Sequence, residues 1–275
     1  MTNGKNAPKA EQESAGQVKK SAGCFDGFDF SSLEIKIEDM FKGGVHFGHN
    51  KSRKDPRMDQ YLFGVKNDIS IIDLEKTEEK LKEAMEFVTN TVAEGKNILF
   101  VGTKKQAQKM IVEAARICEM PYVSERWLGG TFTNFDIISK RTKFLRDGQE
   151  KMKRGEYTHY TKFEQMKIAE ELNRLESRMG GIKEMVKLPG AIFIVGVIED
   201  DLAIKEATAK NIPIVGLVDS NVNPERVTYP IPANEDALSS IKLMLAYMVK
   251  AVLEGKNNAV VAKAKEEKEK IKEEK

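Results

Sequence analysis

A ten-residue segment in the middle of the chain, residues 125–134, combines side chains that suit contact with an anionic partner. It contains Arg126, the only tryptophan of the chain (Trp127), adjacent glycines at 129 and 130, and two threonines. A planar guanidinium can bind phosphate, an indole offers a flat apolar face with one donor, and adjacent glycines let the backbone approach a partner closely. The alternative is a tight turn in which the indole packs as an apolar plug. The segment alone leaves both possibilities open.

A second dense segment, residues 44–57, places two glycines and two histidines before a run of lysines and arginines. His46 and His49 have the His-x-x-His spacing, but no third metal ligand lies near them in the sequence, which argues against a metal site. Histidines and glycines beside basic residues suit backbone and phosphate contacts in a nucleic acid. The alternative is a structural loop whose histidines are satisfied by internal hydrogen bonds.

Two predicted strand ends could bind a phosphate or a metal ion. Residues 101–105 end a strand and begin a helix, where the helix N-terminus attracts anions. Neither the Walker A pattern nor Gly-x-Gly-x-x-Gly occurs, so the glycine-rich loop of a nucleotide site is missing. The acidic run 199–201 resembles a Mg²⁺ cluster, but we favour Asp201 as the cap of the next helix. With three histidines and no Ser-His-Asp arrangement, we expect no catalytic residues and no enzyme activity.

The composition indicates a charge-rich globular protein with local basic regions. Of its 275 residues, 40% are hydrophobic and 32% are charged, yet the net charge is only +2. Residues 42–66 carry six basic and two acidic side chains, and residues 139–187 carry thirteen basic and eight acidic ones. This distribution is typical of a protein with a local anionic partner. Because we find no membrane span, secretory signal or paired cysteines, we expect a cytoplasmic protein.

Short apolar runs alternate with helical patterns through most of the chain. The strand-like runs are residues 70–72, 97–101, 121–123, 191–195 and 213–218. The predicted helices are residues 74–93, 106–117, 201–210 and 236–253. This alternation is typical of an α/β fold with a doubly wound, mostly parallel sheet of flavodoxin-like type, covered by helices on both faces.

A heptad pattern interrupts this alternation. Apolar residues recur at intervals of four and three, at Ile168, Leu172, Leu175, Met179, Ile182 and Val186. Thr161 and Glu164 form a capping-box pattern before them. We therefore predict an inserted, protruding antiparallel coiled-coil hairpin. The expected domains are a disordered N-terminal extension (1–32), an α/β domain (33–133 and 188–256), the coiled-coil hairpin (134–187) and a charged C-terminal tail (257–275).

Several motifs resemble, in order and in spacing, those of the bacterial small-subunit ribosomal protein S-two family. They lie at residues 43–49, 71–77, 98–104, 126–130, 180–183, 212–213 and 218–221. The resemblance implies an α/β domain with a coiled-coil hairpin, which is the architecture predicted above. It also implies a non-catalytic ribosomal role: binding small-subunit rRNA, contacting other ribosomal proteins and helping to recruit ribosomal protein S-one. No cofactor, metal, membrane or small-molecule substrate is expected.

The resemblance places the RNA contacts in the two dense segments and at the strand end 101–105. The expected RNA-binding residues are His46, Gly48, His49, Lys51, Arg53, Arg57, Lys104, Lys105, Arg126, Trp127, Gly129, Gly130, Thr131, Thr133 and Asn134. Lysines and arginines would neutralise phosphates, while Trp127 would stack on a base or pack beneath its loop. Two other function classes remain. One is a nucleotide-dependent transferase using Lys104 and the acidic run; the other is a scaffold whose hairpin binds a partner helix.

Overall fold

Helices and strands alternate along the chain, and the computed structural model describes residues 23–25, 28–30 and 32–273, with side chains up to residue 261. The strands are β1 (Phe47–Asn50), β2 (Leu62–Lys66), β3 (Ile69–Ile72), β4 (Ile98–Val101), β5 (Tyr122–Val123), β6 (Ala191–Ile194), β7 (Ile214–Val218) and β8 (Tyr229–Pro232). The α-helices are α1 (Ile37–Lys42), α2 (Leu74–Ala93), α3 (Gln108–Cys118), α4 (Phe135–Lys153), α5 (Lys162–Met179), α6 (Asp201–Ala209) and α7 (Leu238–Glu273). Short 3₁₀ helices occupy Lys51–Arg53, Pro56–Tyr61, Gly180–Ile182 and Pro224–Arg226.

A parallel sheet of five strands forms the centre of the fold. Its order is β5–β4–β6–β7–β8, and every neighbouring pair is parallel. All residues of β4, β6 and β7 are buried. Strands covered on both faces need no polar positions, which explains their continuous apolar sequences. The predicted parallel sheet is confirmed.

Apolar layers pack against both faces of this sheet. On one face, Phe100 and Phe193 pack with Tyr247 of α7, and the two phenylalanine ring centroids are 5.8 Å apart. On the other face, Leu99 packs in a cluster that includes Trp127 and residues of α6. Residues 99 and 100 reach opposite layers because successive side chains of a strand alternate. The arrangement is consistent with the predicted flavodoxin-like fold.

A second sheet of three antiparallel strands, in the order β1–β3–β2, lies apart from the parallel sheet. The expectation that residues 70–72 belong to the parallel sheet is therefore wrong, since they form part of β3, the central strand here. Ser70 and Ile72 are buried whereas Ile69 is exposed, so one face of β3 packs on the protein. An apolar run this short does not reveal from the sequence which sheet it joins.

Helices α4 and α5 follow β5 and precede β6 along the chain, and they lie side by side. Gly148 permits their close approach, because a Cβ at this position would lie 2.7 Å from Leu172 Cδ2. Gln149 Nε2 also donates a hydrogen bond to Glu176 Oε2 at 2.8 Å. These contacts join the carboxyl-terminal half of α4 to the carboxyl-terminal half of α5, so the two helices pack against each other. That the pair is an inserted, protruding coiled coil remains a prediction.

The start of α5 confirms the predicted capping box. The Thr161 hydroxyl accepts a hydrogen bond from the Glu164 N–H, and the Glu164 carboxylate accepts one from the Thr161 N–H. Of the predicted apolar seam, Leu172 and Met179 are buried, but Val186 is 76% exposed. Val186 departs from the seam because α5 ends at Met179 and a 3₁₀ turn follows.

Residues near both ends of the described chain belong to the folded structure. Phe25 is buried against the main core, and its ring centroid lies 5.9 Å from that of Phe30. The apolar end of the predicted N-terminal extension thus contacts the core, while residues 1–22 lie outside the described residues. Helix α7 continues to Glu273, beyond its expected end at residue 253. None of the helices in the described part of the chain is long and apolar enough to cross a membrane.

Candidate RNA-binding site

The carboxyl edge of the parallel sheet brings the predicted functional segments together. Parallel strands end at one edge, so the turns after β4, β5, β7 and β8 lie along the same side of the sheet. The basic loop, residues 44–57, joins this edge through Ser220. The His49 N–H donates to Ser220 Oγ at 2.7 Å, and the Asp55 N–H donates to the Ser220 carbonyl at 2.9 Å. A Cβ on Gly48 would lie 2.7 Å from the same Oγ, so glycine is required for this approach.

The basic loop presents three of its predicted RNA contacts to solvent. Lys51, Arg53 and Arg57 are all exposed. Arg57 Nε lies 3.3 Å from a carboxylate oxygen of Glu225, a surface pair of small expected strength. Within the part of the chain that the structure describes, Lys51 and Arg53 form no ion pair. Their charges are therefore available to an external anion.

His46 lies inside the protein. Its side chain stacks on Phe41, with ring centroids 4.4 Å apart and an interplanar angle of 7°. Burial lowers the pKa of the imidazole below its ordinary value, so the ring is neutral at physiological pH. His46 is therefore a buried, packed side chain, but its Nδ1 atom has no hydrogen-bond partner among the described residues, so the satisfied internal hydrogen bonds of the alternative are not seen at this nitrogen.

His49 faces two carboxylates from distant parts of the chain. Nδ1 lies 3.0 Å from Asp219 Oδ2, and Nε2 lies 3.2 Å from Asp236 Oδ2. The contact with Asp219 raises the pKa of His49, although burial opposes the change. One ligand atom from each of the three residues lies within 4.8 Å of the other two. One imidazole nitrogen and two carboxylate oxygens suit three positions of a Zn²⁺ site. The sequence argument against a metal considered only neighbouring ligands and missed these two.

We expect Zn²⁺ to raise the melting temperature of the purified protein, and to do so more strongly at about pH 7.5 than at about pH 6. The metal needs a deprotonated imidazole, and the raised pKa of His49 makes protons compete with it as the pH falls. Thermal unfolding with Zn²⁺ or with EDTA measures the effect. His49→Ala should lose the response, whereas the exposed His159→Ala should keep it. Equal responses from both variants would contradict the expectation.

Lys104 lies in an acidic cluster and is not presented to a ligand. Its side chain is 8% exposed, and Nζ lies 2.8 Å from Glu235, 2.9 Å from Asp236 and 3.4 Å from Glu199. Burial would lower the pKa of Lys104, but the carboxylates, Glu235 foremost, raise it above its ordinary value. Burial raises the pKa of Glu235 to about 7. The lysine that a nucleotide phosphate would need is therefore already paired, while Lys105 is exposed.

The expected capping of α6 by Asp201 is wrong. Asp201 is the first residue of the helix, and its carboxylate pairs with Lys205 at 2.7 Å and with Arg226. Asp200 takes the N-cap position without a capping hydrogen bond from its side chain. Its carboxylate instead accepts the Thr103 N–H at 3.3 Å, and burial raises the pKa of Asp200 to about 6. Adjacent aspartates left the sequence unable to show which of them starts the helix.

Trp127 packs beneath the loop that residues 125–134 form. The side chain is buried, and its ring centroid lies 4.9 Å from that of Phe132 at an angle of 76°. Its Nε1 donates a hydrogen bond to Glu206 Oε1 at 3.2 Å. Of the two roles that the sequence left open for Trp127, the structure shows the packing role, because the ring has little surface left for a base.

A buried carboxylate, that of Glu206 in α6, organises the loop. Besides the Trp127 indole, it accepts the N–H groups of Gly130 at 2.7 Å, Phe132 at 2.9 Å and Thr133 at 3.2 Å. Burial alone would raise the pKa of Glu206, but these hydrogen bonds lower it below its ordinary value. The carboxylate is therefore ionised at neutral pH, with its charge compensated by donors from a single loop.

Sequence reasoning missed Glu206, although a signal was present. The residue lies on the apolar face of α6, beside the buried residues Ala203, Ile204 and Ala207. A glutamate on such a face requires hydrogen-bond partners, since an unpaired buried charge is costly. That pattern predicts a buried contact without revealing which loop supplies it.

The outer side of the loop presents polar groups and backbone to solvent. Its exposed predicted residues are Arg126, Gly129, Thr133 and Asn134. Arg126 makes no ion pair with any residue in the described ranges. Gly130 has a φ of +90°, which favours glycine, and the buried Thr131 donates its hydroxyl to the Leu128 carbonyl at 2.6 Å. The turn is thus fixed from within while its outer side stays open.

Comparison with known proteins identifies the family. A family model described as ribosomal protein S2 matches residues 40–255. The small ribosomal subunit protein uS2 of Roseiflexus castenholzii is 47% identical over 223 residues, which cover 81% of this chain and 85% of that protein. The protein of the same description from Dehalococcoides mccartyi is 43% identical over 221 residues, covering 80% and 90%. These matches confirm the resemblance seen in the sequence motifs. The chain belongs to the ribosomal protein S2 family.

Proposed function

We propose that this protein is a structural constituent of the small ribosomal subunit that binds small-subunit rRNA and helps to recruit ribosomal protein S-one. Family membership supports the ribosomal role. One observation carries the proposal of rRNA binding: exposed basic side chains lie along one edge of the sheet without ion-pair partners among the described residues. They are Lys51, Arg53, Lys105 and Arg126. Each is available to a phosphate group.

The predicted site divides into residues that contact RNA and residues that hold them in place. We assign direct contacts to the exposed members: Lys51, Arg53, Arg57, Lys105, Arg126, Gly129, Thr133 and Asn134. We assign supporting roles to the members that are buried or half-buried: His46, Gly48, His49, Lys104, Trp127, Gly130 and Thr131. This division predicts different effects of substitution in the two groups. Substituting a contact residue should lower only the RNA affinity of the protein, whereas substituting a supporting residue should also lower its stability.

We expect Arg126→Ala to weaken binding to a small-subunit rRNA fragment about tenfold, the effect of one charge-assisted hydrogen bond to phosphate. The melting temperature should not change, because Arg126 is exposed and unpaired within the described chain. Filter binding at low salt measures the affinity. Arg116→Ala is the matched control, since it removes an exposed arginine from the end of α3, at the opposite edge of the sheet. Similar affinities for the two variants would contradict the assignment.

Reconstitution tests the ribosomal role as a whole. Purified protein should co-sediment with small subunits from which this protein has been removed, and Arg126→Ala should do so less completely. Failure of the unaltered protein to rejoin such subunits would overturn the proposal. Rejoining by both proteins to the same extent would leave the ribosomal role and remove Arg126 from the contact set.

The proposed recruitment of ribosomal protein S-one is supported by a second surface, which is aromatic and belongs to the antiparallel sheet. The antiparallel sheet exposes two aromatic side chains, Phe47 at 47% and Phe63 at 82%. Exposed aromatic side chains suit contact with another protein, because burying them at an interface removes apolar surface from water.

We expect Phe63→Ala to weaken the capture of purified ribosomal protein S-one by about tenfold, as for an aromatic side chain at an interface centre. Phe163→Ala is the control, because Phe163 is 60% exposed and lies on α5. Binding measured by biolayer interferometry should separate the two variants. Unchanged affinity for Phe63→Ala would remove this surface from the proposal and leave rRNA binding unaffected.

A further inference from the structure

We infer that Glu206 is the positioning residue of the RNA-binding loop: its buried carboxylate holds the backbone in the one conformation that presents Arg126, Thr133 and Asn134 to rRNA. The inference rests on the proposed role of this loop in binding rRNA. It assigns the determinant of that role to a residue of α6, which is remote in sequence and shielded from any ligand, since Glu206 is 5% exposed.

The arrangement of donors makes a carboxylate necessary at this position. Oε1 accepts from Trp127 Nε1 and the Gly130 N–H, and Oε2 accepts from the N–H groups of Phe132 and Thr133. A carboxylate offers only acceptors, so it satisfies donors at both oxygens. A carboxamide of the same shape would direct an NH₂ group at two N–H groups and leave them without a partner. Because the site is buried, water cannot readily replace the lost acceptor.

The same hydrogen bonds fix where the loop points. The N–H groups of Gly130, Phe132 and Thr133 turn inward to the carboxylate, and α4 begins directly after Asn134. Helix α6 provides a firm anchor, because its neighbouring side chains Ala203, Ile204 and Ala207 are buried in the core. With the inner side of the loop bound in this way, the exposed groups at residues 126, 133 and 134 are held without any contact from Glu206 to the RNA.

The decisive variant is Glu206→Gln, which preserves shape and removes the acceptor at one oxygen. It should bind the rRNA fragment at least about tenfold more weakly, the cost of losing one or two buried charge-assisted hydrogen bonds. Removing a negative charge should by itself strengthen binding to a polyanion, so a loss cannot arise from net charge. Because Trp127 is the only tryptophan, its emission reports the loop directly, and we expect a red shift with increased acrylamide quenching.

Asp201→Asn is the matched control. It makes the same change of charge on the same helix, but Asp201 contacts Lys205 and Arg226 instead of the loop. This variant should bind RNA as tightly as the unaltered protein and keep the original tryptophan emission. Gly130→Ala disturbs the loop from the other side, since its φ is +90° and a Cβ would lie 3.2 Å from Asn134 Cβ. It leaves Glu206 in place and should lose RNA affinity in the same way.

The outcomes separate this inference from the function on which it rests. Normal RNA affinity in Glu206→Gln, together with a loss in Arg126→Ala, would overturn the positioning role and leave the RNA-binding loop intact. Normal affinity in both variants would overturn the proposed role of the loop as well. If Glu206→Gln does not fold, Gly130→Ala decides: loss of affinity supports a loop that must be held in place, and full affinity overturns the inference.

Discussion

Replacing Trp127 with alanine should lower the free energy of unfolding by roughly 3–5 kcal/mol, the usual cost of removing a large aromatic side chain from a core. The indole is 5% exposed, packs edge-on against Phe132 and donates to Glu206. Its removal would leave a cavity and withdraw one donor from a buried carboxylate. Urea unfolding followed by circular dichroism measures the change, since the variant contains no tryptophan.

Two further variants separate packing from hydrogen bonding. Trp127→Phe retains an aromatic ring and loses only the Nε1 donor and part of the volume, so about 1–2 kcal/mol is expected. Phe163→Ala removes an aromatic side chain that is 60% exposed, and should cost less than about 0.5 kcal/mol. A Trp127→Ala protein as stable as the parent would show that the indole is not part of the core. A stable variant with lost RNA binding would restore the base-stacking role.

The regular part of the fold was predictable because its signals are local. The helix predicted at residues 74–93 is α2, Leu74–Ala93, whose carboxyl-terminal end is marked by glycine 95 and whose start is capped by Asp73. The runs that became β4, β6 and β7 are wholly buried, and only strands covered on both faces tolerate such sequences. Periodicity and end signals were sufficient for these elements.

The antiparallel sheet and strand β8 could not be predicted in the same way. Strand β8, Tyr229–Pro232, contains two prolines, which lack an N–H and argue against a central strand. The structure resolves this conflict by placing β8 at the edge of the parallel sheet, where one side needs no partner strand. The residues of β3 read as a buried strand, but pairing partners are set by the whole chain and not by the run itself.

The candidate site shows the same division between local and distant information. Its loops were predicted from their own residues, among them Arg126 and the basic run after His49. Their internal supports were not, because Glu206 and Asp219 lie far away in the sequence and meet the loops only after folding. Consequently Lys104, which reads as a phosphate ligand at a strand end, proves to be paired with Glu235.

Binding of this protein to small-subunit rRNA should weaken by roughly 10³-fold between about 50 and 200 mM salt if about six phosphates are contacted. The exposed basic residues of the site supply most of these contacts: Lys51, Arg53, Arg57, Lys105 and Arg126. Because the net charge of the chain is only +2, a steep dependence cannot come from the protein as a whole. It would have to come from this local edge. Filter-binding titrations across the salt range give the slope of log affinity against log salt concentration.

Single substitutions test whether the salt dependence arises from the residues of the site. Each contact removed should reduce the slope by about one, so Arg126→Ala and Lys105→Ala should each do so, while Arg116→Ala should leave it unchanged. Lys104 provides a sharper comparison, since its ammonium is enclosed by carboxylates and should release no counterion. Lys104→Met is therefore expected to keep the original slope even if it lowers stability. An association that is insensitive to salt, or a slope that falls equally for Lys104→Met and Lys105→Ala, would refute the assignment of this edge to phosphate contacts.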